Sequence, residues 1–378
     1  MEFASSLPAA AAARSPLPVT LLPAHPDEAE VSMQHYWMAL ERAAAQSDLP
    51  VSLESPFGPP EFPPVYRGRL RRSISRYLKY PLWVWRNVRS PVVHVLDHSS
   101  AHLIPWLPSG ARSVVTVHDL IPLRDPAHLR PSQLRRFRRQ MRHLRRVDHL
   151  VAVSDYTSGE IQELLQIDAA KITVVPNGVD VPSVAAAPGE EVRARAETTA
   201  GTQRILSVGT CYARKNLGIL LEIFARLNLR EQPVSLWRVG RPLPAPLRED
   251  LIRLLGAQNL VEFGMVDETS LDYLYREADA LIFPSRLEGF GLPVLEALAR
   301  GCPVVSSNAS SLPEAGGEAA LYFDPDEPEQ AARHLEALQR DPGLRGPLSA
   351  AGKAHAKCFS WQRHFESLVK IYRQLASA

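Results

Sequence analysis

The sequence is poor in cysteine and in long apolar runs. Its three cysteines, Cys211, Cys302 and Cys358, are an odd number without paired spacing, so they support neither a disulfide framework nor a zinc site. We therefore expect a reducing compartment, the cytoplasm. No apolar run approaches the roughly 20 residues that span a bilayer, and the alanine-rich start lacks the basic and strongly apolar regions of a secretory signal. Any membrane contact is expected to be peripheral, at the inner face of the cell membrane.

The composition is that of a globular protein. The 378 residues are enough for two domains, each with its own hydrophobic core. A hydrophobic share of 45% and a charged share of 22% exclude wholesale disorder and a collagen-like fibre. The net charge of +2 is too balanced to indicate nucleic acid as a partner.

Short runs rich in β-branched residues recur between helical stretches, in two series. Continuous apolar strands that alternate with helices predict parallel sheets covered on both faces, a doubly wound α/β fold. Two series predict two Rossmann-like domains, connected through the Ala-, Pro- and Gly-rich residues 181–203. The predicted strands are 18–22, 92–96, 113–117, 149–153 and 172–176, followed by 204–208, 234–239, 260–263, 280–283 and 303–307.

The residues after the run 204–208 have the pattern of a phosphate site. GTCYARKN begins with Gly209 and leads into an apolar helix, and a helix N-terminus presents free N–H groups and a positive dipole end to an anion. Arg214 and Lys215 add two full positive charges. The alternative is that both are solvated loop residues. The Walker pattern G-x-x-x-x-G-K-[ST] is absent from this segment.

The residues 288–301, EGFGLPVLEALARG, follow the run 280–283. They predict a loop and then a helix that ends at a glycine. Gly289 and Gly291 let the backbone approach a ligand closely. Glu288 lies in the loop and Glu296 about one turn inside the helix, so the two carboxylates can reach different parts of one extended ligand. The alternatives are a helix cap for Glu288 and a solvated helix face for Glu296.

EGFGLPVLEAL, together with VGTCYARKN, VPNGVD, PVVSSNASSLPE and FSW, resembles the family 4 glycosyltransferases (glycosyl transferases group 1), retaining enzymes with the GT-B fold. The resemblance covers almost the whole chain. It implies two Rossmann-like domains that face each other across a cleft. Residues 1–183 would bind the acceptor, with a helix at about 361–376 packing back on them, and residues 200–360 would bind the donor.

The resemblance also implies roles for individual residues. The first glutamate and the adjacent backbone would hold the transferred sugar, the second glutamate the ribose hydroxyls, and the basic pair the diphosphate. The implied donor-binding residues are Gly209, Arg214, Lys215, Glu288, Gly289, Phe290, Gly291, Leu292 and Glu296. The implied catalytic residues are Glu288, His118, Arg214 and Lys215.

The activity implied is transfer of a hexose, of the mannose or glucose type, from a nucleotide diphosphate sugar such as GDP-mannose or UDP-glucose. The acceptor would be a hydroxyl of a glycan or lipid-linked molecule in cell-surface polysaccharide or glycoconjugate synthesis. Retention by front-side substitution needs no protein nucleophile, and we expect no cofactor and no metal, since the sequence shows no Asp-x-Asp pair and no His/Cys ligand spacing. The alternatives are a nucleotide-sugar epimerase of the same fold and a non-catalytic sugar-nucleotide-binding subunit.

The N-terminal half carries weaker signals. His118 and Asp119 directly follow a predicted strand. The resemblance places His118 near the donor sugar, unless it is a buried structural histidine, and Asp119 would cap or orient the loop. Asp97 and His98 follow another strand and are candidates for the acceptor side. The family's glycine-rich turn after the first strand is missing here, and Glu28 and Glu30 would repel a diphosphate. We therefore assign Ser32 and Gln34 of this segment to the acceptor side as well.

Residues 65–146 are strongly basic, with eighteen Arg and Lys against three acidic residues. The stretch 65–89 interleaves arginine with tyrosine and tryptophan, and 130–146 is rich in arginine. Such segments suit the headgroup layer of an anionic membrane, which is the partner we favour. The alternatives are a solvated helical face, a nucleic-acid groove and a site for an anionic polysaccharide.

Overall fold

The computed structural model describes residues 16–25, 31–56, 73–180 and 187–378. Glu28, Glu30 and residues 65–72 of the basic region lie outside the described residues. Two six-stranded parallel sheets with surrounding helices make up the described chain, so the predicted α/β class with two Rossmann-like domains is confirmed. No helix in the described ranges is both long and apolar enough to cross a membrane.

The first sheet has the strand order β2-β1-β3-β4-β5-β6. Its parallel ladders pair neighbours in register, for example Val19 of β1 with Val92 of β3. The inner strands are buried on both faces, as their continuous apolar sequences predict. The strands are β1 (Leu17–Leu22), β2 (Val51–Glu54), β3 (Val92–Val95), β4 (Arg112–Val117), β5 (His149–Ala152) and β6 (Ile172–Val174).

The second sheet has the strand order β12-β11-β10-β7-β8-β9, so β7 and β10 are neighbours although the strands β8 and β9 lie between them in sequence. Its hydrophobic core includes Trp237, Phe283 and Val294 on one face and Phe224, Ile282 and Leu335 on the other. The strands are β7 (Gln203–Gly209), β8 (Val234–Gly240), β9 (Leu260–Gly264), β10 (Ala280–Phe283), β11 (Val304–Ser307) and β12 (Leu321–Phe323).

Helices alternate with the strands, and the last three helices follow β12. They are α1 (Val31–Ala45), α2 (Tyr80–Asn87), α3 (Ile121–Arg124), α4 (Pro131–Met141), α5 (Asp155–Leu165), α6 (Glu190–Glu197), α7 (Ile219–Ala225), α8 (Ala245–Leu255), α9 (Glu268–Glu277), α10 (Leu292–Ala299), α11 (Leu312–Gly316), α12 (Pro328–Arg340), α13 (Arg345–Ala356) and α14 (Trp361–Ser377). Short 3₁₀ and π turns connect several of them, including Ala213–Lys215 after β7.

By compactness the chain divides into two units, Met1–Val115 with Phe365–Ala378, and Thr116–His364. In the first unit, the buried His94 of β3 has its Nδ1 2.6 Å from the hydroxyl of Tyr372 in α14. The second unit contains the whole second sheet together with β5 and β6. Sheet membership and compactness therefore give different boundaries, and the predicted domains 1–183 and 200–360 stay a prediction.

Two details differ from the sequence expectations. The apolar helix expected over 217–227 is shorter, at Ile219–Ala225, and a 3₁₀ turn followed by the left-handed Asn216 precedes it. The segment 181–203, expected to be a connection, contains α6. Its helix-forming sequence EEVRARAE explains this element.

Candidate functional site

The carboxyl ends of β7 and β10 place two loops at one edge of the second sheet. The strands are adjacent and parallel, with Leu206 opposite Leu281. Chain connections leave this pair in opposite directions, toward β8 on one side and β11 on the other. Open α/β sheets bind ligands at such a switch point. Residues 210–215 follow β7 here, and residues 284–291 follow β10.

The loop after β7 turns sharply over the neighbouring strand. Gly209 has a φ of +128°, a conformation that side-chain-bearing residues avoid. A Cβ on Gly240 of β8 would lie only 2.0 Å from the carbonyl oxygen of Gly209, so only glycine fits there. The 3₁₀ turn that follows carries Arg214 and Lys215.

Both basic side chains of this turn reach the same carboxylate, Glu288 in the loop after β10. Its Oε1 lies 2.6 Å from Lys215 Nζ and 3.1 Å from Arg214 Nη1, and it accepts a 2.5 Å hydrogen bond from the Ser285 hydroxyl. The side chains are 11%, 18% and 11% exposed for Lys215, Arg214 and Glu288. Glu288 is therefore a paired anion in a nearly dry site, and the helix-cap alternative does not describe it.

Burial and the neighbouring charges act in opposite directions on this pair. Burial raises the pKa of Glu288, but Lys215 and Arg214 outweigh it and hold the pKa below its usual 4.5. For Lys215, burial lowers the pKa from its usual value; Glu288 opposes this effect and Arg214 adds to it. The carboxylate consequently stays ionised at neutral pH.

A third cation, Arg238 of β8, lies beneath the loop after β7. Arg238 is only 1% exposed. Its guanidinium donates to the carbonyl oxygens of Ser207 at 3.1 Å and Thr210 at 3.3 Å, and also to the carbonyl oxygen of Gly209. Among the described residues it forms no ion pair with a carboxylate, and its Nε has no hydrogen-bond partner. The charge of Arg238 helps to lower the pKa of Lys215, so three cations and one carboxylate lie at this edge of the sheet. This leaves an excess of positive charge suited to an anion.

The loop that carries Glu288 is fixed on both sides by serines. The amide of Glu288 donates to Ser310 Oγ at 2.9 Å, and its carbonyl accepts from Ser311 Oγ at 3.1 Å. The carbonyl of Gly289 accepts from Ser154 Oγ at 2.6 Å and from Thr157 Oγ1 at 3.1 Å. These contacts hold the loop backbone in one position.

Gly289 brings this loop against the segment that follows β4. A Cβ on Gly289 would lie 1.8 Å from the carbonyl oxygen of His118 and 2.9 Å from Asp119 Cβ. His118 is 9% exposed, and its carbonyl oxygen lies against the loop that carries Glu288. Asp119 accepts from the amide of Ile121 at 3.0 Å and so orients this loop, whereas the N-cap of α3 is Leu120 without a side-chain cap.

Glu296 lies in α10, in the helix that the sequence predicted. Pro293 occupies the first turn and Gly301, with a φ of +76°, follows the last. Glu296 is half-buried, and its Oε2 accepts a 2.8 Å hydrogen bond from the hydroxyl of Tyr275. The alternative of a fully solvated helix face is therefore wrong. Phe290 and Leu292 pack in a small apolar cluster with Phe359.

The four residues predicted for the acceptor side lie in the first unit. Asp97 is 2% exposed and accepts from the amide of Ser99 at 2.9 Å, so it caps the 3₁₀ turn His98–Trp106; His98 Nδ1 lies 3.3 Å from Asp97 Oδ1. In α1, Ser32 is exposed whereas Gln34 is 6% exposed. Residues two apart on a helix do not share a face, so these two do not form one surface.

Sequence reasoning missed Arg238 and the serines 285, 310 and 311. An arginine in the otherwise apolar strand VSLWRVG was a usable signal, since a charge in a strand buried on both faces needs a reason. The serines offered none, because serine is common in any loop.

In the described residues, no group of three or more His, Cys, Asp or Glu side chains is arranged to hold a metal ion.

Comparison with known proteins places this geometry in a family. The sequence profile of glycosyl transferases group 1 matches residues 190–355, and that of glycosyltransferase family 4 matches residues 33–182. The chain is 28% identical to O-antigen chain mannosyltransferase B of Escherichia coli over 306 residues, which are 78% of this chain and 77% of that one. It is 33% identical to D-inositol 3-phosphate glycosyltransferase of Kineococcus radiotolerans over 252 residues, 60% of this chain and 57% of that one.

The fold is that of solved glycosyltransferases. Sucrose-phosphate synthase from Thermosynechococcus elongatus superposes with a TM-score of 0.73 at 21% identity, over 95% of this chain and 99% of that one. The two profiles together cover most of the chain, and the predicted resemblance is confirmed. The chain belongs to the family 4 glycosyltransferases and has the GT-B fold.

Proposed function

We propose that this glycosyltransferase moves a hexose from a nucleotide diphosphate sugar to a hydroxyl of a glycan or lipid-linked acceptor, with retention of anomeric configuration. The observation that carries the proposal is the pairing of Glu288 with Arg214 and Lys215, with the buried Arg238 close enough to Lys215 to act on its pKa. The excess positive charge of this cluster at the switch point of the sheet suits a diphosphate. Glu296 lies in α10, the helix that directly follows the loop of Glu288, and we assign it to the ribose attached to that diphosphate.

The cluster supports a mechanism without a protein nucleophile. The bond between the sugar C1 and the diphosphate oxygen breaks, and Arg214 and Lys215 stabilise the charge that develops on the leaving group. The acceptor oxygen forms the new bond to C1 on the same face and passes its proton to a diphosphate oxygen. Glu288 orients the sugar once the diphosphate has taken over the two cations that pair with its carboxylate in the ligand-free protein. We propose that His118 lies beside the donor sugar and that no metal takes part.

Likeness to an O-antigen chain mannosyltransferase supports mannose as the hexose and cell-surface polysaccharide or glycoconjugate synthesis as the setting. We therefore rank a GDP-mannose type of donor above a UDP-glucose type. Asp97, His98, Ser32 and Gln34 remain our candidates for the acceptor side.

The decisive experiment incubates the protein with a panel of UDP, GDP, ADP and TDP sugars, with and without candidate acceptors, and determines the anomeric configuration of the product by NMR. We expect transfer with retention. In Glu288→Ala, transfer is expected to be at least about tenfold slower, which corresponds to a barrier increase of about 1.4 kcal/mol. An inverted product, or near wild-type turnover in the folded variant, would contradict the proposal. Conversion of the donor to an isomer without acceptor would indicate an epimerase, and tight binding without turnover a binding subunit.

We also propose that the protein works at the inner face of the cell membrane. In the described part of 65–89, Leu78 and Trp85 are 62% and 60% exposed beside Arg86 and Arg89. In 130–146, α4 exposes Arg135, Arg138 and Arg139. Aromatic and basic side chains together favour an anionic headgroup layer.

Sedimentation with vesicles tests this membrane proposal. Binding is expected to vesicles that contain anionic phosphatidylglycerol and not to purely zwitterionic ones, and to weaken as salt is added. The double variant Leu78→Ser/Trp85→Ser should bind several-fold more weakly. Met265→Ser, which removes an apolar side chain that is 75% exposed elsewhere, is the matched control. Equal binding of both variants would refute the assignment.

A further inference from the structure

The carboxylate of Glu296 is held by a buried tyrosine to which the sequence assigned no role. Tyr275 belongs to α9 and is fully buried, and its hydroxyl donates to Glu296 Oε2 at 2.8 Å. In the described residues no hydrogen bond reaches the other oxygen, Oε1. One carboxylate oxygen is therefore fixed from the protein side, and the other is open to a ligand.

The tyrosine ring is itself held in place by a buried ion pair. The guanidinium of Arg300 lies over the ring at 5.5 Å from its centroid and also pairs with Asp272, with Nε 2.8 Å from Oδ1. Asp272 and Arg300 are 3% and 8% exposed, and Arg276 binds the second oxygen of Asp272 at 2.7 Å. Such an arrangement fixes the direction in which the phenol points.

The phenol is a permanent hydrogen-bond donor. Burial, and then the Glu296 charge, raise the pKa of Tyr275 well above 10, so the hydroxyl keeps its proton at every physiological pH. A glutamate without such a donor turns its carboxylate freely, because the terminal torsion of glutamate is broad.

We propose that Tyr275 is a positioning residue for the nucleotide ribose: its hydroxyl fixes Glu296 so that the open carboxylate oxygen accepts from a ribose hydroxyl. This inference rests on the proposed function, in which Glu296 binds the ribose. Removing the Tyr275 hydroxyl weakens binding only where a ribose hydroxyl is present, because the tyrosine acts through that one contact.

The test is calorimetry of GDP and UDP, and of their 2′-deoxy and 3′-deoxy analogues, with the wild type, Tyr275→Phe and Glu296→Ala. Phenylalanine keeps the ring beneath Arg300 and removes the hydroxyl alone. We take whichever of GDP and UDP the wild type binds more tightly. Tyr275→Phe is expected to bind that nucleotide about tenfold more weakly than the wild type does. It should bind one of the deoxy analogues, the one that lacks the hydroxyl contacted by Glu296, as the wild type does.

A loss of equal size for ribo- and deoxynucleotides, or no loss, would overturn the positioning role. The two hypotheses fail differently. If Glu296→Ala leaves every affinity unchanged, the ribose contact in the proposed function is wrong and this inference falls with it. If Glu296→Ala weakens the binding of ribonucleotides but not of the deoxy analogue, and Tyr275→Phe causes no such selective loss, only the inference is wrong.

Tyr322→Phe is the matched control. Its hydroxyl donates to the carbonyl of Gly317 at 2.9 Å in the same unit, so this variant also loses one tyrosine hydrogen bond. It is expected to change thermal stability without changing the ratio of ribo- to deoxynucleotide affinity. A changed ratio in Tyr322→Phe would refute the specific role of Tyr275.

Discussion

Replacing Glu288 by glutamine is expected to destabilise the empty protein and to strengthen its binding of nucleoside diphosphate. The substitution keeps the volume of the side chain and removes the charge that pairs with Lys215 at 2.6 Å and Arg214 at 3.1 Å. Removing one partner of a buried pair costs about 3–5 kcal/mol. Both cations keep some access to water, so we expect the lower value, about 3 kcal/mol.

For a unit the size of Thr116–His364, that loss corresponds to a fall of roughly 6–12 °C in the melting temperature. Nucleoside diphosphate at a hundred times its Kd raises the free energy of unfolding of any protein that binds it by about 2.7 kcal/mol. In the variant its affinity should also rise, since the ligand no longer displaces a carboxylate from the two cations. Transfer should nevertheless fall at least about tenfold, because the sugar loses its anchor.

Differential scanning fluorimetry and calorimetry, each with and without nucleoside diphosphate, check both parts. The control is Asp279→Asn. Asp279 precedes β10 at the amino end of that strand and accepts from the amide of Arg204 at 2.7 Å, so it is a carboxylate in the same sheet but away from the loops. The Asp279→Asn variant should be less stable than the wild type but should bind nucleoside diphosphate with unchanged affinity. Weaker diphosphate binding by Glu288→Gln would refute the reasoning.

Three further predictions concern the same unit. Gly289→Ala places a Cβ 1.8 Å from the carbonyl of His118, so we expect a loss of about 1–3 kcal/mol in urea unfolding and at least tenfold slower transfer; Gly159→Ala, with open space around its Cβ, should lose neither. Burial lowers the pKa of His364 to about 4, so the unfolded chain binds more protons between pH 6.5 and 4 and stability falls by about 3 kcal/mol as the pH drops through that range. His364→Gln should flatten this part of the urea-midpoint profile, and an unchanged slope would contradict it. Lys215→Ala should weaken nucleoside diphosphate binding by roughly ten- to a hundredfold in calorimetry, and unchanged affinity would remove it from the phosphate site.

The strands were predictable because their signal is local. All ten predicted runs form strands, with ends that differ by at most two residues. The two strands that were missed, β2 and β12, lie at sheet edges and have four and three residues. Residues of β2 alternate between half-buried and exposed, so VSLE lacks the continuous apolar character that marks a strand buried on both faces.

The site was predictable only as far as its residues lie in recognisable loops. Glu288 and Lys215 lie far apart in sequence and meet because β7 and β10 are neighbours, which the doubly wound order implies. The contact of Tyr275 with Glu296 depends on the packing of α9 against α10, and a tyrosine in a helix is indistinguishable from a core residue in sequence. Arg238 reaches the loop from a third strand, so its role depends on register.

The pairing of Glu288 with Arg214 and Lys215 has a consequence for turnover. In the ligand-free protein the Glu288 carboxylate pairs with the same two cations that bind the product diphosphate. The carboxylate therefore competes with the product for these cations at the end of each turnover. We expect this internal competitor to limit product inhibition. Removing its charge in Glu288→Gln should therefore lower the inhibition constant of the nucleoside diphosphate, measured against residual transfer, and prolong the lifetime of the product complex.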